Sequence, residues 1–347
     1  MAQINKPSDY FNTITWTGDG SSSRGLTGVG FQPDWVWLKR RDAVANNNVY
    51  DVIRGATNYL LTDSTNAEAT IANRLTSFDS DGFTVGNSGN TNISGGTYVG
   101  WNWLAGGTAV SNTDGSITSS VSANTTSGFS IVSYTGTGAN ATVGHGLGVA
   151  PAVVLVKNRT TSGYDWFMYH HKNTSEPATD YLRLNLTSAT TDNVVVWNDT
   201  EPTSLVFSIS TSVGVNANTD EYIAYCFAEK KGFSKFGSYT GNGSTDGTFV
   251  YTGFKPAWVM MKRTDTTNDW FIYDSTRNTF NETNLKISAN TSGAESTQTT
   301  NQIDILSNGF KCRGNAGATN ASGGTYIYMV FAENPLVGTN NIPATAR

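Results

Sequence analysis

Residues 239–247 read YTGNGSTDG, a glycine-rich loop of the kind that can cradle a phosphate. The same opening, aromatic-Thr-Gly-x-Gly, stands at 16–20 (WTGDG) and at 134–138 (YTGTG). From each aromatic, 17 residues lead to a proline: Trp16 to Pro33, Tyr134 to Pro151 and Tyr239 to Pro256. Gly30, Gly148 and Gly253 stand three places before those prolines, and Lys39, Lys157 and Lys262 six places after. Tyr50, Tyr169 and Tyr273 follow the prolines by 17 or 18 residues, and the stretches SGGTYVGWNWLAGG, NTDEYIAYCFAEKKG and SGGTYIYMVFAENP close the three units. Self-similarity at a fixed period decides an architecture before any single motif does. The loop lacks the Lys-Ser/Thr of a phosphate-binding loop and runs into TFVYTGF, a strand rather than a helix. Its glycines are therefore read as the positive-φ residues of a tight hairpin turn.

The repeat divides the 347 residues into a first β-sandwich at 1–107, a polar linker at 108–128, a second sandwich at 129–232, a third at 233–335 and a tail at 336–347. Units of about a hundred residues are of normal domain size. The stretch ahead of the second unit, AGGTAVSNTDGSITSSVSANTTSG, offers almost nothing to bury and predicts an extended or loosely packed connection. Only EKKGFS separates the second and third units, which predicts a fixed pair. The runs DWVWLK, AVVLVK and AWVMMK, like YVGWNW, YIAYCF and YIYMVF, read as strands buried on both faces. Long helical periodicity is absent apart from a weak window at 64–75. The expected fold is all-β: three tandem antiparallel β-sandwich domains, jelly-roll-like. Trp35, Trp103, Phe227, Trp258 and Phe331 recur at matched places and are assigned to cores.

Charged residues make up only 14% of the chain and the net charge is -5, which argues against nucleic acid or an anionic membrane as partner. No window approaches 18 apolar residues, so no membrane insertion is expected. The start MAQINKPSDYF has neither the basic nor the apolar region of a signal peptide, which predicts a chain made and folded in cytoplasm. Cys226 and Cys312 are read as reduced thiols.

No constellation carries a reaction. His170 and His171 are adjacent on an extended stretch and point to opposite faces, and His145 is alone. Glu229 and Glu333 match each other, but the first unit has Ala105 there, and no acid pair of glycosidase type is visible. Asp51 with Arg54 and Asp274 with Arg277 predict an exposed local ion pair pinning a turn; in the second unit His170 and Asn173 replace them. The run Asp79-Ser80-Asp81-Gly82 opens like a calcium loop without the later ligands. No catalytic, cofactor-binding or metal-binding residue is assigned.

The phrases INKPSDYFNT, GVGFQPDWVWLK, FDSDGFTVG, GGTYVGWNWLAGG, AYCFAEKKGFSKFGSYTGNGSTDGTFVYTGFKPAWVMMKR and ASGGTYIYMVFAENPLVGTN are similar to those of a protein family from bacteriophages of marine bacteria. The resemblance runs from about residue 4 to the end of the chain. Members are usually labelled tail-fibre-like or lectin-like, without established catalytic residues. It implies a non-enzymatic structural protein of the virion, assembled in the host cytoplasm. The expected role is in a tail fibre or surface appendage contributing to host attachment, with a capsid decoration or head-fibre protein, and a carbohydrate-binding module or polysaccharide-degrading enzyme, as alternatives. The expected partners are further copies of the chain as a homo-oligomer, a trimer favoured, other virion proteins and host surface glycan.

Overall fold

The computed structural model describes residues 3–338 and 343–346. Of the predicted tail at 336–347, residues 339–342 and 347 lie outside the described residues, and within the rest Ala344 N–H donates to Leu336 O and Val337 pairs with Pro343. The first unit runs through β1 (Phe11–Thr17), β2 (Arg24–Thr27), β3 (Trp35–Arg40), β4 (Asn48–Asp51), β5 (Asn58–Leu61), β6 (Ala69–Thr70), β7 (Leu75–Asp79), β8 (Gly82–Val85) and β9 (Thr97–Trp103). The second adds β10 (Val110–Asn112), β11 (Ser119–Asn124), β12 (Phe129–Thr135), β13 (Ala141–Gly144), β14 (Val153–Asn158), β15 (Phe167–His170), β16 (Asp180–Arg183), β17 (Thr191–Asp192), β18 (Val206–Ile209), one turn of helix α1 (Val213–Asn216) and β19 (Glu221–Phe227). The third holds β20 (Ser234–Thr240), β21 (Phe249–Tyr251), β22 (Phe254–Arg263), β23 (Phe271–Asp274), β24 (Leu285–Ser288), β25 (Ser296–Thr297), β26 (Ile303–Leu306), β27 (Gly309–Cys312) and β28 (Thr325–Pro335).

The molecule is all-β, and its named strand pairs are antiparallel. Each unit builds a large sheet of one pattern: β1-β9-β3-β4-β5-β6, then β12-β19-β14-β15-β16-β17, then β20-β28-β22-β23-β24-β25. Each also builds a small one: β2-β8-β7, β13-β18 and β21-β27-β26. The unit's last strand lies between its first and third, so chain ends meet within each unit.

The continuous apolar runs have a specific cause. In β9, Val99, Trp101 and Trp103 face a core shared by all three units, while Tyr98 faces the unit's own core under the small sheet. In β19, Ile223, Tyr225 and Phe227 take the shared side and Tyr222, Ala224 and Cys226 the private side. In β28 the division is Ile327, Met329 and Phe331 against Tyr326, Tyr328 and Val330. The three large sheets thus turn one face inward onto a common aromatic centre. There Trp35 stacks on Tyr225 at 4.6 Å, and Trp103 and Phe227 lie 5.5 and 5.8 Å from Phe331. The five aromatics assigned to cores from the sequence, Trp35, Trp103, Phe227, Trp258 and Phe331, all lie in this shared centre.

Two expectations change. The polar stretch 108–128 is no loose connection: β10 and β11 extend the second unit's large sheet, with Val121 and Ser122 buried. Alternation of small polar and apolar residues suffices for a strand when a neighbour supplies the ladder. The window 64–75 forms no helix, because Glu68 is drawn out to the second unit and β6 pairs with β5. The second and third units pack against each other, with His171 meeting Phe236 O and Lys262 meeting Thr187 O, and the first unit contacts both.

Candidate functional site

The glycine loops hold their amides internally. Gly18, Gly136 and Gly241 pass so close to the carbonyls of Ile93, Ala217 and Ala321 that any Cβ would collide, and Gly20, Gly138 and Gly243 have φ of 77°, 74° and 67°. In the third unit Asn320 fills the loop: its Oδ1 accepts from Asn242 N at 3.0 Å and its Nδ2 donates to Ser244 O at 2.9 Å. Asn92 and Asn216 receive Asp19 N and Thr137 N in the same way. In the third unit the N–H groups of Gly241, Asn242, Gly243 and Ser244 are each given to an acceptor within the protein, so they are not aimed at a phosphate. The three asparagines escaped the sequence reading, although each stands six residues before Tyr98, Tyr222 or Tyr326.

The predicted ion pairs lie at the junctions between units and are fully buried, not exposed. Arg54 Nε meets Asp51 at 2.5 Å and Arg277 Nε meets Asp274 at 2.5 Å, all four side chains without solvent contact. Each pair is capped by the next unit. Tyr225 donates its hydroxyl to Asp51 at 2.7 Å, and Trp101 Nε1 donates to Asp274 at 3.0 Å. The equivalent of Tyr225 and Trp101 in the third unit is Met329, which has no polar hydrogen to give. Facing it, the second unit carries His170 in place of the acid, and Nε2 of His170 lies 3.2 Å from the backbone oxygen of Tyr328 instead. The unit 2 exception noticed in the sequence is therefore matched by an exception in the unit it faces.

The same cycle recurs in other groups. Glu68 bridges Arg54 of its own unit and Arg159 of the second, while Glu295 bridges Arg277 and Arg41 of the first. In the second unit Thr190 holds that position and reaches Thr264 through the backbone. Lys39 donates to Ser292 O, Lys157 to Thr65 O and Lys262 to Thr187 O, each crossing to the preceding unit. Burial pushes all three lysines down to about 8. The contacts run first to second, second to third and third to first, which closes a ring.

The remaining candidates are engaged structurally. Nε2 of His171 contacts Phe236 O at 2.7 Å, and the ring lies 3.9 Å from Glu229. Glu229 accepts from Lys235 and from Phe236 N, both at 2.9 Å, beside an open cleft of about 250 Å³ that Glu201 also lines. Glu333 pairs with Lys255 at 3.2 Å at the equivalent place in the third unit. His145 holds Thr203 O and accepts Leu147 N, and burial lowers its pKa. Asp79 accepts from Ser77 and Thr84, and Asp81 from the N–H groups of Gly28 and Gly30, so the calcium-like run serves two turns. Cys226 and Cys312 are free and buried, and burial pushes Cys312 up to about 12. Among the described residues no group of three His, Cys, Asp or Glu is placed to hold a metal ion, and no helix is long and apolar enough to cross a membrane.

The fold and these junctions define an all-β protein of three internally similar units joined in a ring. The chain belongs to the family described as a domain of unknown function, DUF7483, whose model matches residues 6–335. No curated protein matches it.

Proposed function

We propose that the chain is a non-enzymatic structural protein of a phage particle, a tail-fibre or surface-appendage component that contributes to host attachment. The observation that carries the reading is the cyclic set of Lys39, Lys157 and Lys262 contacts, which gives one polypeptide an internal threefold arrangement. A threefold body suits coaxial mounting on a threefold appendage, and the family resemblance of the sequence points to the same setting. On this reading each unit is a jelly-roll-like sandwich domain, and the chain is three tandem copies. The three copies already bury the faces that a homotrimer would bury, so further copies and other virion proteins are met through the outer surfaces. The engagement of every candidate acid, histidine and lysine in backbone or ion-pair contacts supports a structural rather than a catalytic role. The same threefold shape favours, as a second reading, a decoration protein seated on threefold positions of a capsid.

Mass spectrometry of purified particles, followed by antibody labelling in electron micrographs, tests the proposal. Label at the tail is expected; label on the head selects the second reading, and absence from particles refutes both.

A further inference from the structure

The small sheets are where the units diverge. Their inward residues are alike, with Leu26, Val143 and Val250 buried at equivalent places. Their outward residues on the first strand are Gly25 and Thr27 in the first unit, Thr142 and Gly144 in the second, and Phe249 and Tyr251 in the third. Phe249 and Tyr251 are 44% and 59% exposed, and with Phe280 they are the exposed large aromatics among the described residues. All three belong to the third unit. A fold that hides its other aromatics so thoroughly has a reason to show these.

Two rows cross this face. Phe249, Lys311 and Asp304 lie opposite one another on β21, β27 and β26. In the next row come Tyr251, Gly309 and Leu306. Gly309 adds no side chain between Tyr251 and Leu306, so nothing on the central strand of this row stands against the Tyr251 ring. The charges beside it are mutually satisfied: Lys311 pairs with Asp246, and Arg313 with Asp304 at 3.3 Å. The face is therefore aromatic and rich in hydrogen-bonding groups, and it carries no excess of cations: Lys311 and Arg313 are matched by Asp246 and Asp304, with Glu282 also near Asp304.

We propose that this outer face of the third unit binds a neutral carbohydrate, with Phe249 and Tyr251 stacking on sugar rings and Lys311 and Asp304, each ion-paired to its own partner, reaching hydroxyls. Sugars offer flat C–H faces to aromatic rings and a rim of hydroxyls to polar ones. Two rings two residues apart on a strand stand about 6.7 Å from each other, a spacing suited to successive residues of a glycan. A protein partner fits poorly. Three strands by three residues give on the order of 150 Å², against roughly 800 Å² per partner in a stable interface. The site deepens the attachment reading and rests on it for its biological target, but not for binding itself.

Affinity electrophoresis of the full chain through gels containing dextran, mannan or galactan, with acidic alginate as comparator, tests the site. At least one neutral polymer is expected to retard the chain, and F249A/Y251A to weaken that retardation about tenfold or more, an effect the single Y251A variant shows in part. Circular dichroism confirms that both variants fold. The proposal is overturned if no neutral polymer retards the chain, if alginate alone does, if the double variant is retarded equally, or if sedimentation shows the double variant abolishing self-association instead. Failure here leaves the particle assay untouched, and absence from particles leaves glycan binding untouched.

Discussion

Asn320 ties its loop to the strand that follows. Its amide satisfies Asn242 N, Ser244 O and Gly314 O, groups that no other side chain reaches in these contacts. Asn320→Ala should cost about 2–3 kcal/mol, because buried polar groups lose their partners together. Urea denaturation measures this as a lower midpoint at unchanged slope. His170 gives a second residue-scale prediction. Its Nδ1 accepts Lys172 N, so the folded protein needs the neutral ring, and burial, then the neighbouring His171, lowers its pKa to about 3. The unfolded chain takes up a proton below about 6.5 that the folded chain refuses. Stability is thus intact above pH 6.5 and falls as pH drops toward 3, and His170→Asn should flatten part of that acid limb in thermal melts. At this scale glycines and prolines were legible, since each marks a backbone constraint. The asparagines recur just as regularly, but an Asn in a loop has several ordinary uses and only the contact tells which.

Between elements, the junction charges behave as units. Arg277→Ala leaves Asp274 buried without its cation and should destabilise by roughly 3–5 kcal/mol, with Arg54→Ala similar, as chemical denaturation would show. A loss below about 1 kcal/mol would match the exposed pair expected from sequence instead. The motif Asp-x-x-Arg was visible in sequence; its burial was not, because Tyr225 and Trp101 lie 174 and 173 residues from the acids they cap. β10 and β11 illustrate the converse. Their composition is that of a linker, and only the ladder to β12 makes them strands. Hydrogen exchange should find the amides of 120–124 protected to the same degree as those of β12, whereas a loose linker would exchange at once.

For the whole molecule, the all-β character and the two-sided burial of the central strands could be read from the chain. What the second face of those strands packs on could not, because an apolar strand face is satisfied equally by a sandwich partner or by a neighbouring unit. The ring follows from contacts that pair each unit with the next, and its consequence is one shared core built from Trp35, Trp103, Tyr225, Phe227, Trp258 and Phe331. No unit can open without exposing aromatics worth roughly 2–3 kcal/mol each to the others' cores. Differential scanning calorimetry of the full chain tests this most directly, repeated with Trp103→Ala, Phe227→Ala and Phe331→Ala. The ring predicts one transition with equal calorimetric and van't Hoff enthalpies, shifted as a whole by each substitution; separate transitions, with each substitution moving only its own, would contradict it.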